Sequence, residues 1–564
     1  MKQTLRQQVA GQVRLAIVAA QAAGDLPSFP VPDPPVERSQ RAEYGDYSSS
    51  VCLKLARQAR MNPLEIAQRV VAHLPPAEFI GRAEAAPPGY VNLWLAEDWL
   101  ATQVEPILAA GEAFGTLELG GGRSVQVEFV SANPTGPLTV GSARNAVIGD
   151  ALASVLQAAG YRVQREYYVN DAGSQVRRLG ESVIARYAQT LGEDVPFPED
   201  GYHGAYVGDL GRQLAAEAGR GYLETERAEA VRAAAAWAIE RLLVGIAADL
   251  AALGVHFDTW RHERDLREEG LLEQALALLR ERGYVVEYDD AVWFRHPDLE
   301  KDAVLIRSPQ VVANPAERPT YLASDAAYLL DKLVLRGFDR AIYVWGADHH
   351  GDVPRVRAAA QALGLDPSRL IFILYQLVTL WQGGEEVRMS KRTGDFVTLR
   401  ELLDTVGPDP IRFLLLARTA DVTVDFDLDL AVEQSERNPV YYVQYAHARI
   451  ASILRHAQEQ GWSLDDPADS SLLRHPGELA LIRKMLELPE IVEIATERLT
   501  AHFLPFYAQE LAAIFHAFYR DCRVVSSDPA EAGLTRARLQ LVRAAQGVLA
   551  RVLHLMGMNA PERM

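Results

Sequence analysis

Apolar and polar residues alternate along this chain in two periods, and the switches between the periods divide it. Residues 1–24 carry apolar positions at helical spacing, interrupted by Arg6, Gln7, Gln8, Gln12 and Arg14. That pattern predicts an amphipathic helix and not a signal peptide. After a Pro-rich break (FPVPDPPVERSQ), Ser48–Arg60 and Pro63–Leu74 read as two helices, with Asn62 as the cap before Pro63 in the second. The β-rich stretch YVNLWLAEDWL follows, and the Gly-rich turn at residues 119–124 marks a boundary. From Val125 the texture becomes strand–helix–strand. Val125–Val130 alternates as a strand, SANPTGPLTVGS is a loop, and Ala143–Ala159 is helical, with apolar Ile148, Leu152, Val155, Leu156 and Ala159. Gly160 is placed to end that helix, and Tyr161–Val169 reads as the returning strand. A crossover of this length suits a doubly wound parallel sheet. Residues from about 178 to 300 read as mainly helical, an insertion in the sheet domain. The alternating texture returns in YLASDAAYLLDKLVLRGFDRAIYVWGADHHGD and LIFILYQLVTL. From about Leu430 helix follows helix, ending in an amphipathic Thr535–Met556.

Composition narrows the class. At 564 residues the chain is expected to hold three or four domains. No run of 18 apolar residues predicts a membrane span. The only cysteines are Cys52 and Cys522, so no disulfide framework or zinc spacing is present and a reducing cytoplasm fits. The net charge of −18 counts against nucleic acid as a partner, but local patches decide phosphate binding. Residues 436–564 carry 14 Lys plus Arg against 15 Asp plus Glu, near neutrality, which permits an RNA-binding surface there. Only six of the 57 basic residues are lysines, and Lys391 is the only one between 333 and 483.

Two segments carry candidate chemistry. In the stretch from Glu128 to Ser142 (EFVSANPTGPLTVGS), a strand leads through a Gly/Pro loop into a helix. A helix start offers unpaired N–H groups and partial positive charge, suited to phosphate, and Gly136 and Gly141 allow close backbone approach. The second segment, Val387–Gly394 (VRMSKRTG), is a basic Gly-ended loop in which Lys391 can neutralise developing phosphate charge. Asp348, His349 and His350 are sequence neighbours, but adjacent histidines point apart, so no protein-held metal is expected.

These segments resemble the class I aminoacyl-tRNA synthetases, and among them the arginine enzymes. The resemblance runs through EFVSANPTGPL, EYYVNDAGSQ, YLASDAAYLLDKL, YVWGADHHGD, NPVYYVQYAHARI and the closing helix, with GDYSSSVCLKLA near the start. It implies an α/β fold: a Rossmann-type doubly wound parallel sheet at 120–385, an α+β N-terminal domain at 1–115, a signature-loop and connecting region at 386–430, and an all-α anticodon-binding bundle at 431–564. It implies arginine–tRNA ligation. Arginine's carboxylate attacks the α-phosphate of ATP, and the tRNA's terminal adenosine then takes the arginyl group. Glu128 and Asp325 are the implied partners of the guanidinium, Tyr321 closes over it, Ser131 and Asn133 hold the α-amino and carboxylate groups, and His349 is a further contact. Ala132, Pro134, Thr135, Gly136, Gly141, Ser142, Met389, Ser390 and Lys391 are implied for ATP, which comes with magnesium. Thr139, Gly141, Ser142, Ser390 and Lys391 stand at the two class signatures. Tyr441, Tyr442, Tyr445 and His447 are implied for tRNA, and the protein is expected to act as a cytoplasmic monomer.

Each side chain also has a plainer use. A strand carboxylate such as Glu128 suits a structural ion pair, and Tyr441 and Tyr445 suit packing. The chain also departs from the family at the first signature, usually HIGH, which stands as Thr139-Val140-Gly141-Ser142 without its histidines. Two expectations follow. In one, the helix start, Arg144, Lys391, Arg392 and His349 or His350 compensate, and the chain ligates. In the other, it binds tRNA or arginine without charging.

Overall fold

The computed structural model describes residues 3–39, 41–387 and 397–564. The first helix, Leu5–Ala22, opens with a capping box between Thr4 and Gln7 and buries Leu5, Val9, Val13, Ala16, Ile17 and Ala20. Strands β1 (Val36–Arg38), β2 (Tyr47–Ser49), β3 (Ile80–Ala86) and β4 (Tyr90–Leu95) form an antiparallel sheet in the order β1-β2-β4-β3. The sequence predicts a helix from Ser48, but it begins at Val51. Ser49 stays in β2, with its hydroxyl donating to the Pro35 carbonyl at 2.8 Å. Asn62 caps the next helix, Pro63–Ala72, accepting from the Leu64 amide at 2.9 Å.

In the middle of the chain come β5 (Ser124–Glu128), the helix Val140–Ala158, β6 (Arg162–Val169) and β7 (Thr259–His262). Gly160, just past that helix, takes φ +85°, the left-handed stop the sequence predicts there. The stretch 178–300 is helical over Ala205–Ala218 and Arg227–Ala252, but it is not purely an insertion of helices. It supplies β7, an edge strand of the central sheet, and starts a separate antiparallel sheet of β8 (Val285–Tyr288), β9 (Ala291–Phe294) and β10 (Ala303–Ile306). Its hairpin turns on Asp289 and Asp290, both at positive φ, as a two-residue turn of this hand requires. Helix Tyr321–Leu330, β11 (Arg340–Gly346) and β12 (Leu370–Tyr375) complete the core.

The five long-range strands lie all parallel in the order β12-β11-β5-β6-β7. The winding direction therefore reverses between β5 and β11, and the crevice beyond their carboxyl ends is where such sheets bind ligands. Beyond this sheet, β13 (Val378–Gln382), β14 (Glu385–Glu386) and β15 (Val424–Asp427) form a small sheet, and the helices Pro439–Glu459, Pro476–Met485, Leu488–Arg498, Phe503–Asp521 and Ala532–Leu555 form the C-terminal bundle.

Buried charges join these parts. Glu490 of the bundle accepts from Tyr47 Oη at 2.6 Å and from Arg38 Nε at 2.7 Å, both in the N-terminal domain. Arg412 is fully buried; it donates to the Leu253 carbonyl at 3.0 Å and also bonds the Met556 carbonyl and Asp150. Among the described residues, no helix is long and apolar enough to cross a membrane.

Candidate active site

The loop after β5 is held in a strained shape. Val130 and Ser131 take φ of 65° and 41°, a conformation that costs of order 1–3 kcal/mol per non-glycine residue. Four hydrogen bonds hold it. The Val130 amide donates to Asn145 Oδ1 at 2.7 Å, and Asn145 Nδ2 donates to the Val344 carbonyl of β11 at 3.0 Å. The Tyr168 amide donates to Ser131 Oγ at 3.1 Å, and Tyr167 Oη donates to the Ala132 carbonyl at 2.8 Å. Asn145 thus ties the loop to the strand across the switch point. Phe129 packs so closely on the next helix that a Cβ at Gly149 would lie 2.2 Å from its ring.

Over this loop and the ends of β5, β11 and β12 opens a cleft of about 1550 Å³. Its lining brings together Glu128, Ser131, Ala132, Asn133, Thr139, Gly141, Ser142, Tyr321, Asp325 and His349, which lie apart in sequence. Pro134, Thr135 and Gly136 do not line it. Tyr206, from helix Ala205–Ala218, donates to the Thr135 carbonyl at 2.6 Å and stands against Gly136. Met389, Ser390 and Lys391, with Arg392, lie outside the described residues. The chain on their far side meets the first signature, since the Leu399 amide donates to the Leu138 carbonyl at 2.8 Å and Thr398 bridges to Thr139.

Carboxylates cluster around Glu128 and Asp325, and nearly all are ion-paired. Glu166 accepts both Arg336 Nη atoms at 2.6 Å. Glu263 is bonded by Arg267 and, at 2.7 Å, by Ser324 Oγ. Asp331 lies 3.2 Å from Arg261, and Glu128 is bonded by Lys332. Asp325 alone of this group has no cation bonded to it among the described residues. Burial, then the neighbouring Glu128, push its carboxyl up to about 8, against the pull of Lys332; Glu263 and Asp352 add to the rise. Burial pulls the Lys332 ammonium down, opposed by Glu128 and Glu166.

The open side is lined by hydrogen-bonding groups. Asn133 Nδ2 donates to Gln175 Oε1 at 2.9 Å, and Gln175 Nε2 donates to the exposed Tyr321 hydroxyl at 3.3 Å. His349 is exposed, its Nδ1 3.5 Å from Asp352. The helix Val140–Ala158 begins with Thr139 as N-cap, but no side chain caps its first amides. A Cβ at Gly141 would meet only Thr139 Oγ1, at 3.7 Å, so the backbone there lies open to a ligand. Arg144, expected to help compensate for the missing histidines, is bonded by backbone carbonyls. Its buried guanidinium donates to the carbonyls of Gln376, a residue of the cleft lining, at 2.6 Å and of Thr419 at 2.9 Å. Sequence reasoning missed Lys332 and Gln175; Gln175 closes EYYVNDAGSQ, and Lys332 is one of only six lysines.

On the bundle, Tyr441 and Tyr445 stack with centroids 6.0 Å apart, and Tyr445 lies 6.0 Å from His516. Tyr442 packs on His516 at 5.0 Å. Tyr445 is exposed, whereas His447 is buried with Nδ1 2.8 Å from the Pro561 carbonyl, and burial lowers its pKa.

Three family descriptions match the chain in order: an arginyl tRNA synthetase N-terminal domain over 4–95, a class I (R) tRNA synthetase catalytic domain over 103–196, and a DALR anticodon-binding domain over 443–564. An arginine–tRNA ligase of Dehalococcoides mccartyi is 46% identical over 552 residues, covering 97% of each chain. One of Syntrophotalea carbinolica is 46% identical over 569 residues, covering 100% of each. The chain belongs to the arginyl-tRNA synthetase family. The solved arginyl-tRNA synthetase of Thermus thermophilus, 26% identical, superposes with a TM-score of 0.74 over 100% of both chains. Within this family the expected order of parts holds: an α+β N-terminal domain, a class I parallel sheet and a helical anticodon-binding domain. The other expectation, binding without ligation, gains no support from relatives of this similarity.

Proposed function

We propose that this chain ligates arginine to tRNA by way of an arginyl-adenylate, with Asp325 and the free oxygen of Glu128 receiving the guanidinium. The observation that carries this reading is the charge count around Asp325. Each neighbouring carboxylate is ion-paired, Asp331 through an Arg261 that it shares with Glu269, and Asp325 is not, so an ionised Asp325 needs one positive charge from a ligand. A guanidinium supplies that charge at any working pH, with planar donors able to span two acceptors. Tyr321, braced by Gln175, would close over the side chain, and Ser131, Asn133 and His349 would hold the α-amino and carboxylate end.

The substrate carboxylate, set near the start of helix Val140–Ala158, would attack the α-phosphate of ATP, and pyrophosphate would leave. The 2′-hydroxyl of the tRNA's terminal adenosine would then attack the adenylate carbonyl and release AMP. The protein's part is positioning and neutralisation. The uncapped amides at Thr139–Ser142, the open Gly141 and Ala132 would face the nucleotide. Lys391 and Ser390 are proposed to reach it from the second signature. Pro134, Thr135 and Gly136 would shape the loop beneath it. Magnesium would arrive with ATP and be held by phosphate oxygens. Among the described residues no group of three or more His, Cys, Asp or Glu could hold a metal ion.

The proposed division of labour is tRNA-corner contact by 1–115, chemistry by 120–385 with the loop region 386–430, and anticodon contact by 431–564. The Tyr441–Tyr445 ledge suits base stacking, with Tyr445 outermost. His447 would brace the C-terminus instead of touching RNA. We place the protein in the cytoplasm as a monomer, a reading supported by two buried free cysteines and by the Glu490 and Arg412 contacts that unite its parts within one chain. Charging tRNA with labelled amino acids tests the substrate. Arginine should be attached and lysine not, because an ammonium cannot span both acceptors; equal charging by lysine, or none by arginine, would refute the assignment.

A further inference from the structure

The pocket proposed for arginine is backed by a cation of its own. Lys332 sits in the π-type turn Asp331–Leu335 that extends helix Tyr321–Leu330, and its side chain is fully buried. Its Nζ bonds Glu128 Oε2 and stands 3.8 Å from the ring centroids of both Tyr328 and Tyr343. Two aromatic faces and a carboxylate fix an ammonium in place. The choice of residue is itself informative. Only six of 57 basic residues here are lysines, yet this slot has one. An arginine here would put an internal copy of the substrate's head group against Glu128.

We infer that Lys332 is a positioning residue for arginine selection: by engaging one oxygen of Glu128 it leaves the other toward the cleft, beside Asp325, the neighbouring acid with no cation bonded to it among the described residues. A planar monocation spanning Glu128 and Asp325 is then preferred. A substrate ammonium finds its best single position, beside Glu128 Oε2, already filled. The groups facing Lys332 are Glu128 from β5, Glu166 from β6, Tyr328, Asp325 and Arg336 from its own helix and turn, and Tyr343 from β11. Arg336 and Tyr328 already satisfy Glu166, so Glu128 and Asp325 are the carboxylates whose charge Lys332 governs.

This inference rests on the assignment of Glu128 and Asp325 to the guanidinium, and the experiment separates the two. Steady-state arginylation is measured against pH for Lys332→Met and Lys332→Arg, beside Glu128→Gln and Asp325→Asn. Without the internal cation, Asp325 loses the pull of Lys332 and holds its proton more tightly. Lys332→Met should therefore raise KM for arginine about tenfold or more, with KM for ATP within about twofold of the parent. The pH at which arginine affinity levels off should also move up. Lys332→Arg keeps the charge but covers both oxygens of Glu128, so it should leave KM for arginine raised. Thermal unfolding monitors folding, and if Lys332→Met does not fold, Lys332→Gln takes its place. An unchanged KM for arginine in the Met or Gln variant, or full restoration by Lys332→Arg, would make the pair merely structural and overturn the inference. If Glu128→Gln and Asp325→Asn also leave KM for arginine unchanged, the pocket assignment itself fails.

Discussion

Asp325 is where burial, charge and specificity meet. Its carboxyl, pushed up to about 8 by burial and by Glu128, holds its proton at neutral pH. On the proposed assignment a guanidinium binds the ionised form, so arginine binding expels that proton. The sign follows from linkage. Below about 8 the apparent affinity should rise by up to about tenfold per pH unit, and above it the profile should flatten. The same raised value means the folded protein holds a proton that the unfolded chain releases. Stability from this group is therefore lost as pH rises from its ordinary range toward 8, and bound arginine offsets that loss. Calorimetry of arginine binding across pH checks the slope, and a profile flat from pH 6 to 8 would contradict it. Asp325→Asn should abolish the slope and weaken arginine about 100-fold, in line with the 2–5 kcal/mol cost of truncating a buried charged pair. At this scale much could be read directly: Glu128, Asp325, Tyr321 and Asn133 all reach one cleft. Lys332 could not, because nothing in its local pattern shows that its ammonium turns inward between two tyrosines. Arg144 shows the converse: its position suggested a role its contacts could not be read for. It stands on the first turns of the helix expected to face phosphate, but its buried guanidinium is taken up by the carbonyls of Gln376 and Thr419.

At the scale of the element, helix Val140–Ala158 is the piece proposed to stand in for the imidazoles. Its first turn lines the cleft with no side-chain cap, and a Cβ at Gly141 would meet only Thr139 Oγ1, at 3.7 Å. Gly141→Ala should therefore fold normally but put a methyl group where a phosphate approaches. KM for ATP should rise about tenfold with an unchanged melting temperature, a loss of roughly 1.4 kcal/mol of binding. A fall in melting temperature with ATP affinity intact would place ATP elsewhere. The strand–loop–helix unit was legible because its apolar period switches cleanly from two to 3.6 residues. Strand β7 was not: Thr259–His262 is short, polar and half-buried at the sheet edge, so no alternation marks it. The β8–β9 hairpin left a readable signal, two aspartates between alternating runs, which the surrounding helical texture obscured.

Across the whole molecule, the parts are bolted together by buried charge. Arg412 binds the helix of the first signature through Asp150, the long insertion helix through Leu253 and the last bundle helix through Met556. The element that would face ATP and the bundle that would face tRNA thus share one buried group. The order of the parts could be read from residue patterns, but this junction could not, since its partners lie 144 to 262 positions apart. The net charge of −18 gave no help with RNA, because the C-terminal region is nearly neutral and its aromatic ledge is local. The central claim is that this molecule activates arginine with Thr139 and Ser142 where its family has histidines. ATP–pyrophosphate exchange dependent on arginine, run with tRNA present, tests it most directly. The parent protein should support exchange, and it should continue in a Thr139→His/Ser142→His double variant. No exchange in the parent, with activity appearing only once the histidines are restored, would contradict the account.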